Sequence, residues 1–362
     1  MRYKIISVIL ILLIRGKSYS QDIDYLSEFN KVLNSEYSVG YSKKRIESKS
    51  KRGNSINFLE LGYYINSNNI ILNKDNSYVV IQNIISSSLK NESQYKWIVT
   101  SVSESHSNYS EKGKEFMLYE GYLFRYIAEF QYLYPNRFLS DPDFTKNNFF
   151  KWYDRSIEKH RDASSLYALR LHIGSHWATV AAYLTKLDST NTKIYKSFID
   201  EYDKQLKKSL KIVKVNGNEC YIWNSTYKEN FTNNLKNRKK QTIIQDVSHG
   251  SHIVQYVIDS YKLGSSSWSK KDLERFANTL KYIIWKDKSK PSDNVDGTIG
   301  AESTGSGWKQ SDGWMKLMNV LNDEELYEIY DNFYNENINK INMNYPYIQF
   351  LANMAVYQQN NK

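Results

Sequence analysis

Two of the six histidines, His249 and His252, lie three residues apart in a segment, 245–264, whose apolar residues recur with helical spacing. At about 100° per residue, these histidines and Tyr256 share one side of the predicted helix. Another side is apolar and consists of Val247, Val254, Val257, Ile258 and Tyr261. An imidazole can give or take a proton near neutral pH. The titratable side therefore faces either bulk solvent or a cleft in which proton transfer can occur.

His249 falls in the first turn of this predicted helix, which Asp246 or Ser248 would cap and Gly264 would end. The unpaired N–H groups and the positive dipole at a helix start disfavour a charged imidazolium. A neutral imidazole there can accept a proton or hydrogen-bond a substrate, and Asp246 could hold His249 in one tautomer. The alternative is that the two residues only form a helix cap.

His172 and His176 form a second pair, four residues apart, within residues 171–185, a stretch without a charged residue. With Thr179 and Tyr183 they make one narrow polar stripe on a predicted helix. The spacing also suits a two-histidine metal site, but no acidic residue lies within four positions and no cysteine pair accompanies them. We therefore expect hydrogen-bonding groups in a polar cavity, with core histidines as the alternative. No cofactor is predicted, and a divalent metal is not indicated.

Aromatic side chains with interleaved amides and hydroxyls occur over 221–227 and again over 308–314. A sugar presents a C–H patch on one face and hydroxyls at its edge, so such rings are suitable glycan platforms. Each ring taken singly is more often part of a core. The candidates for sugar contact are Trp223, Asn224, Tyr227, Trp308 and Trp314.

Glu120 is a carboxylate flanked by aromatic residues, Tyr119 and Tyr122. It could act as an acid or accept a sugar hydroxyl, whereas the alternative is a solvated or ion-paired helix residue. The patterns of other enzyme classes are missing from the sequence, which has no Gly-x-Ser-x-Gly, phosphate-binding loop or Cys–His pair in the expected context. The glycine-rich stretch 293–307 follows no predicted strand and so predicts a flexible loop.

Residues 1–20 are typical of a cleavable export signal, with a basic start, an apolar run over 5–14 and a small-x-small site. The run is too short to span a bilayer comfortably, although an uncleaved anchor is the alternative. We expect a secreted or periplasmic protein that has no membrane association after cleavage. The single cysteine, Cys220, excludes an intramolecular disulfide. The net charge of +10 favours a polyanionic partner, and export favours acidic polysaccharide over nucleic acid.

From residue 110 onwards the chain reads as successive helices joined by short connections, which is typical of stacked helical hairpins. Either an α-solenoid or an (α/α) toroid fits this pattern. The uncharged stretch 171–185 is followed by the heavily charged stretch 192–214, as expected where inner and outer helices alternate. The sequence thus predicts an all-α fold, an (α/α) toroid over 111–362, to which the N-terminal segment 21–110 could also belong. The predicted helices are 111–134, 143–160, 164–187, 192–213, 245–264, 269–286, 310–322, 324–340 and 345–359.

Several short motifs over residues 110–358 occur in an order that resembles secreted bacterial (α/α)-toroid proteins related to polysaccharide lyases. Such lyases act on polymers of uronic acids such as alginate and glucuronan. The most specific motif is Asp-Val-Ser-His-Gly at 246–250. The others are Glu-Gly at 120–121, the helix over 171–184, Tyr-Ile-Trp at 221–223, Gly-Trp at 307–308 and 313–314, and Gln-Phe-Leu-Ala-Asn at 349–353.

The resemblance implies a β-elimination that uses an Asn, a His, an Arg and a Tyr. His249 matches the histidine and would be the base or a carboxylate partner, whereas the place expected for the Asn carries His172 or His176. Tyr256 or Tyr227 would donate a proton, and Arg170 or Arg238 would neutralise charge. The remaining substrate contacts would come from His172, His176, His252, Asn224, Trp223, Glu120, Asp246, Trp308 and Trp314.

Two other functions are compatible with the same residues. A glycoside hydrolase would need two carboxylates across the cleft, for which Glu120, Asp246 and Glu302 are the candidates. A glycan-binding protein without catalysis would need the aromatic and basic surface but would tolerate the loss of His249.

Overall fold

The computed structural model describes residues 23–36, 54–87, 89–91, 94–97, 114–138, 141–233, 235–236, 243–287, 291–299, 312–337 and 345–361. The predicted export signal, Trp308, Glu302 and Arg238 lie outside these residues. The described chain is mostly helical, as predicted, with two short antiparallel hairpins. Within it, no helix is both long enough and apolar enough to cross a membrane.

The helices run through the whole of the described chain. They are α1 (Tyr25–Glu36), α2 (Asn54–Ile70), α3 (Lys74–Ser87), α4 (Met117–Leu133), α5 (Phe144–His160), α6 (Ser164–Tyr167), α7 (Leu171–Leu187), α8 (Thr192–Ser209), α9 (Val247–Lys262), α10 (Lys270–Thr279), α11 (Asp312–Leu321), α12 (Glu324–Asn337) and α13 (Tyr345–Asn361). The strands are β1 (Leu89–Asn91), β2 (Gln94–Lys96), β3 (Lys211–Val215) and β4 (Asn218–Ile222).

The helix predicted over 192–213 ends earlier, at Ser209, and the chain then forms the hairpin of β3 and β4. Asn216 and Gly217 connect the strands, and both have a positive φ, 51° and 81°. A two-residue hairpin turn of this kind favours Asn-Gly because both central residues adopt φ above zero. The Asn-Gly pair was therefore a readable hairpin signal, and the prediction of helix to residue 213 is wrong.

The helix predicted over 164–187 is interrupted near Ala168, whose φ is +51°. The chain then continues as α7, in which every residue from Leu171 to Leu184 except Ile173 is buried. The prediction that this uncharged segment is covered all round is confirmed. In contrast, α8 buries only one side, formed by Tyr195, Phe198, Ile199, Tyr202, Asp203, Gln205 and Leu206.

Irregular backbone pairing holds the beginnings of α7 and α9 in place. The N–H of Leu171 donates to the carbonyl of Ser225, and that of Ser225 donates to Ile243. Gln245 in turn donates to Trp223, and Val247 donates to Asp293. These bonds tie both helix starts to the same stretch of chain, so the residues in the first turns of α7 and α9 have fixed relative positions.

Six helices pack in sequence against one another: α2 on α4, α4 on α7, α7 on α9, α9 on α11, α11 on α13, and α13 on α2. Each of the six thus contacts two others of the set. The other long helices pack against members of this set, including α1 on α13, α3 on α2, α5 on α7, α8 on α7, α10 on α11 and α12 on α11. As a result α2 and α13, which are far apart in the sequence, are neighbours in the fold.

Candidate functional site

Four histidines from α7 and α9 lie together near the beginnings of these helices. The ring centroids of His172 and His249 are 4.3 Å apart, and those of His176 and His252 are 4.9 Å apart. Because α7 and α9 run side by side in the same direction, the i, i+4 pair of one helix meets the i, i+3 pair of the other. The structure brings the two histidine stripes of the sequence together in one cluster.

Asp246 and His249 make a half-exposed pair at one edge of the cluster, with side chains 40% and 45% exposed. Asp246 Oδ1 accepts the backbone N–H of His249 at 2.9 Å, which caps α9. The same carboxylate lies 2.9 Å from His249 Nδ1. Asp246 therefore both caps the helix and orients the imidazole, the two alternatives that the sequence leaves open.

The pKa of Asp246 decides the tautomer of its partner. Burial alone would raise this pKa, but the hydrogen bonds from the ring and backbone of His249 outweigh burial and lower it to about 2. The ionised carboxylate can only accept, so Nδ1 of His249 carries the hydrogen. The lone pair of the neutral ring is consequently on Nε2, which is the atom that can accept a proton.

The other three histidines of the cluster are buried and hold their neutral form. Burial lowers the pKa of His172 well below its usual value, and the neighbouring His249 adds to the effect. Burial and then the charge of Arg125 do the same for His176 and His252. These side chains can therefore donate and accept hydrogen bonds at neutral pH without carrying charge.

Arg125 and Tyr122, both on α4, complete the cluster and were not among the sequence candidates. The Arg125 guanidinium, 1% exposed, places Nη1 3.0 Å from His252 Nδ1. Since arginine only donates, His252 accepts with Nδ1. The Tyr122 ring lies 4.2 Å from that of His176 and 5.1 Å from that of His252. One feature of the sequence could have indicated these two residues. Arg125 is the only charged residue over 121–128, and Tyr122 precedes it by three positions, so both lie on one side of the helix.

His176 is the most deeply placed member of the cluster, with no exposed surface. Among the described residues, neither of its ring nitrogens has a hydrogen-bond partner, and the same holds for Nδ1 of His172. A buried polar atom without a partner costs about 1–3 kcal/mol. These unpaired nitrogens make the cluster a polar region within the packed helices.

The two tyrosines predicted as proton donors do not fit that role. Tyr256 is fully buried, and its hydroxyl donates to Asp203 Oδ1 at 2.6 Å. Tyr227 is also buried, and its hydroxyl donates to the carbonyl of Tyr167 at 2.9 Å. Burial raises the pKa of both phenols well above the usual value, so neither gives up its proton readily.

Glu120 is an ion-paired residue rather than a cleft acid. It accepts from Lys151 Nζ at 2.6 Å, Asn148 at 2.8 Å and Trp152 at 2.8 Å. Burial raises its pKa, and Lys151 opposes that effect. Oε2 of Glu120 is thus engaged between α4 and α5, which corresponds to the structural alternative given for this residue above.

The predicted sugar platforms Trp223 and Trp314 are buried, so they present no face to a ligand. Trp314 Nε1 donates to the carbonyl of Val247 at 3.0 Å, and the two indole rings are 6.0 Å apart. Both rings lie against Gly250, where an added Cβ would come within 3.4 Å of each. Their role is to support the first turns of α9.

Asn224 and Arg170 belong to the irregular backbone pairing that holds the beginnings of α7 and α9. Asn224 is half-buried and bridges to Ile244, while Arg170 is half-buried and bridges to Thr226. Arg170 immediately precedes α7, and its charge contributes to lowering the pKa of His172. Arg170 thus lies beside the start of α7, and its role as a neutralising arginine stays a prediction.

Within the described part of the chain, no set of three or more His, Cys, Asp or Glu side chains is arranged to hold a metal ion. The chain matches no protein-family model, and no curated protein is significantly similar to it in sequence. The resemblance to polysaccharide lyases therefore rests on the short motifs alone. What the geometry defines is a histidine cluster with one oriented, half-exposed imidazole and a buried arginine.

Proposed function

We propose that α2, α4, α7, α9, α11 and α13 form the inner ring of an (α/α) toroid. Their sequential contacts, with α13 returning to α2, support this arrangement. Two contacts between aromatic side chains show the relative direction of α4 and α7. Tyr122 contacts His176, and Tyr132, later in α4, contacts Tyr183, later in α7, so the two helices are parallel, as inner helices of a toroid are. In this arrangement the histidine cluster lies at the end of the lumen where the inner helices begin.

The proposed function is the cleavage of an acidic, uronic-acid-containing polysaccharide by β-elimination, carried out by a secreted or periplasmic protein. The observation that carries the proposal is the Asp246–His249 pair, since a carboxylate-oriented imidazole with a free lone pair at Nε2 is a suitable general base. The location is proposed from residues 1–20.

In the elimination, His249 takes the proton from the carbon that bears the uronate carboxylate. A double bond forms as the C–O bond to the next sugar breaks, and the leaving oxygen takes up a proton. The negative charge of Asp246 stabilises the imidazolium formed in the first step, because the two groups are in direct contact.

The carboxylate of the sugar must be neutralised before its neighbouring proton becomes acidic. Arg170 is half-buried beside the start of α7 and supplies positive charge there, to which the buried Arg125 adds at longer range. The helix starts of α7 and α9 add partial positive charge at the same end. This combination favours an anionic substrate.

Tyr122 replaces Tyr256 and Tyr227 as the proposed proton donor to the leaving oxygen. The support for Tyr122 is its place in the cluster, where its ring contacts the rings of His176 and His252. A hydrolase is less well supported, because hydrolysis needs two available carboxylates and both described candidates are engaged. Asp246 holds His249, and Glu120 holds Lys151.

The test is to incubate the purified protein with alginate, glucuronan and a neutral glucan while following the ultraviolet absorbance of the unsaturated product. We expect absorbance to rise with a polyuronate only, and His249→Ala to abolish the rise without changing the thermal unfolding midpoint. His160→Ala is a matched control, because His160 lies at the end of α5, outside the cluster.

Release of reducing ends without new absorbance would replace elimination with hydrolysis. Binding of a polyuronate with neither signal would indicate a glycan-binding protein. Activity that survives in the His249→Ala variant would show that the site is elsewhere.

A further inference from the structure

A second concave site lies on the outer surface, where α5, α6 and α8 meet. Its volume is about 910 Å³, which is within the range of ligand pockets. The residues that line it include Tyr153, Tyr167, Phe198 and Phe231 as aromatic groups. It shares no lining residue with the histidine cluster. We call it the α8 groove.

Stacked aromatic rings form the apolar part of the α8 groove. Tyr167 and Phe198 are stacked with centroids 4.6 Å apart, and Phe231 meets Tyr167 edge-on at 5.2 Å. Tyr153 stacks on Phe149 at 5.7 Å and is only partly buried. Tyr153 and Phe231 therefore keep part of their surface available to a flat apolar partner.

The rim of the α8 groove carries exposed cations. Arg161, Lys193 and Lys196 are exposed, and among the described residues none of them forms an ion pair. A fourth cation, Lys204, is 3.4 Å from Glu201 and so has its own counter-charge. The lining carries these four cations against the three acids Asp162, Asp200 and Glu201, so its net charge of +1 favours anions.

The acidic residues of the groove offset these cations only in part. Both oxygens of Asp162 accept backbone N–H groups, one from Ser164 and one from Asn233, each at 2.9 Å. Glu201 is held by Lys204 and also accepts from Gln205 at 2.7 Å. Only Asp200 remains as an exposed acid beside the rim cations.

We propose that the α8 groove is a second, non-catalytic binding site for an anionic oligosaccharide of uronic acids. The flat C–H face of a sugar would lie on Tyr153 and Phe231, and its carboxylates would meet the rim cations. From Thr192 to Lys204 the groove follows α8 for about 18 Å, long enough for several linked sugars. That the ligand is a uronic-acid oligosaccharide rests on the proposed function. That the site is the α8 groove and that it prefers anions is inferred from its lining residues.

The test uses isothermal titration calorimetry in a His249→Ala background, so that no turnover occurs during the measurement. The probes are a short oligo-uronate and the same oligosaccharide with its carboxylates reduced to alcohols. The groove variant is Lys193→Ala/Lys196→Ala. The matched control is Lys211→Ala/Lys214→Ala, which removes two exposed lysines from β3 and leaves the groove unchanged.

We expect the groove variant to weaken binding of the oligo-uronate by about 3- to 10-fold and the control to change it less than 2-fold. Tyr153→Leu keeps most of the apolar volume, and we expect a loss of similar size because the flat ring is removed. The reduced oligosaccharide should bind more weakly than the oligo-uronate and be insensitive to the lysine changes.

Equal affinity of the groove variant and the lysine control would overturn the proposal. Binding of a DNA duplex with the same dependence on Lys193 and Lys196, and no dependence on Tyr153, would also overturn it, since the groove would then be a general polyanion surface. The two proposals fail separately. Absence of any cleavage with intact groove binding refutes only the elimination, and cleavage with no effect of the groove variants refutes only the second site.

Discussion

Replacing Asp246 with Asn tests the role of the oriented histidine most directly. The amide retains an oxygen that can accept the backbone N–H of His249, and Asn is as good a helix cap as Asp. The change therefore removes the negative charge and leaves the cap. We expect the free energy of unfolding at pH 7 to fall by about 1 kcal/mol, because the ionised carboxylate also stabilises the folded state and solvent screens this half-exposed pair.

The effect on the reaction is larger, because the charge stabilises the imidazolium that forms when His249 accepts a proton. Two unit charges about 4 Å apart interact by roughly 4 kcal/mol near a protein surface. Since both side chains are more than a third exposed, solvent screening reduces this to about 1.4–2.7 kcal/mol. We expect kcat on a polyuronate to fall about 10- to 100-fold, with little change in KM.

The same variant has a pH signature. The folded-state pKa of Asp246, about 2, lies below its ordinary value of 3.8, so its stabilising contribution is present above pH 4 and is lost as pH falls toward 2. Asp246→Asn should therefore flatten the acid side of the stability profile, measured by urea unfolding from pH 2 to pH 7.

Ser269→Ala is the control for losing a helix cap that has no role in catalysis, because Ser269 caps α10 through a capping box. It should cost about 1 kcal/mol of stability and leave kcat unchanged. A fully folded Asp246→Asn protein with kcat within 2-fold of the wild type would refute the assignment of His249 as an oriented base.

Three further changes test the ring and the buried charges. Gly313→Ala should destabilise the protein by about 3 kcal/mol or more in thermal unfolding, because the added Cβ would overlap the Ser251 carbonyl oxygen; a loss below 1 kcal/mol would contradict this close approach. Asp259→Asn should raise stability above pH 6, by up to about 3 kcal/mol. Burial raises the Asp259 pKa to about 6 from 3.8, so the wild type loses stability between these pH values and the variant should not. Arg125→Lys should lower kcat/KM about 10- to 100-fold with the fold intact by circular dichroism, since an ammonium cannot reproduce the guanidinium contact to His252; unchanged kinetics would remove Arg125 from the site.

Much of the architecture was readable from local pattern. The apolar periodicity of 245–264 predicts α9, and Asp246 does cap it. The absence of charge over 171–185 predicts the buried helix α7, because a charged stripe is what marks a solvated face. The Asn216–Gly217 turn was also readable, since its two residue types match the backbone that the hairpin needs.

The orientation of the site was decided by tertiary structure. Tyr256 is seven residues after His249 and so shares its side of α9, but it lies about 10.5 Å further along the helix axis. At that depth the ring packs on Tyr202 of α8, and its hydroxyl meets Asp203. Periodicity gives the direction in which a side chain points, but the neighbour it meets depends on depth within the packed helices.

The sequence by itself determined most of the helices after residue 110, the cap of α9 and the two histidine pairs. Only the tertiary structure decided that the pairs meet, that Arg125 joins them from α4, and that Trp223 and Trp314 are buried supports. The physical reason is the range of the interactions. Helix formation and capping depend on residues within one or two turns, whereas the cluster is built from contacts between helices up to 127 positions apart.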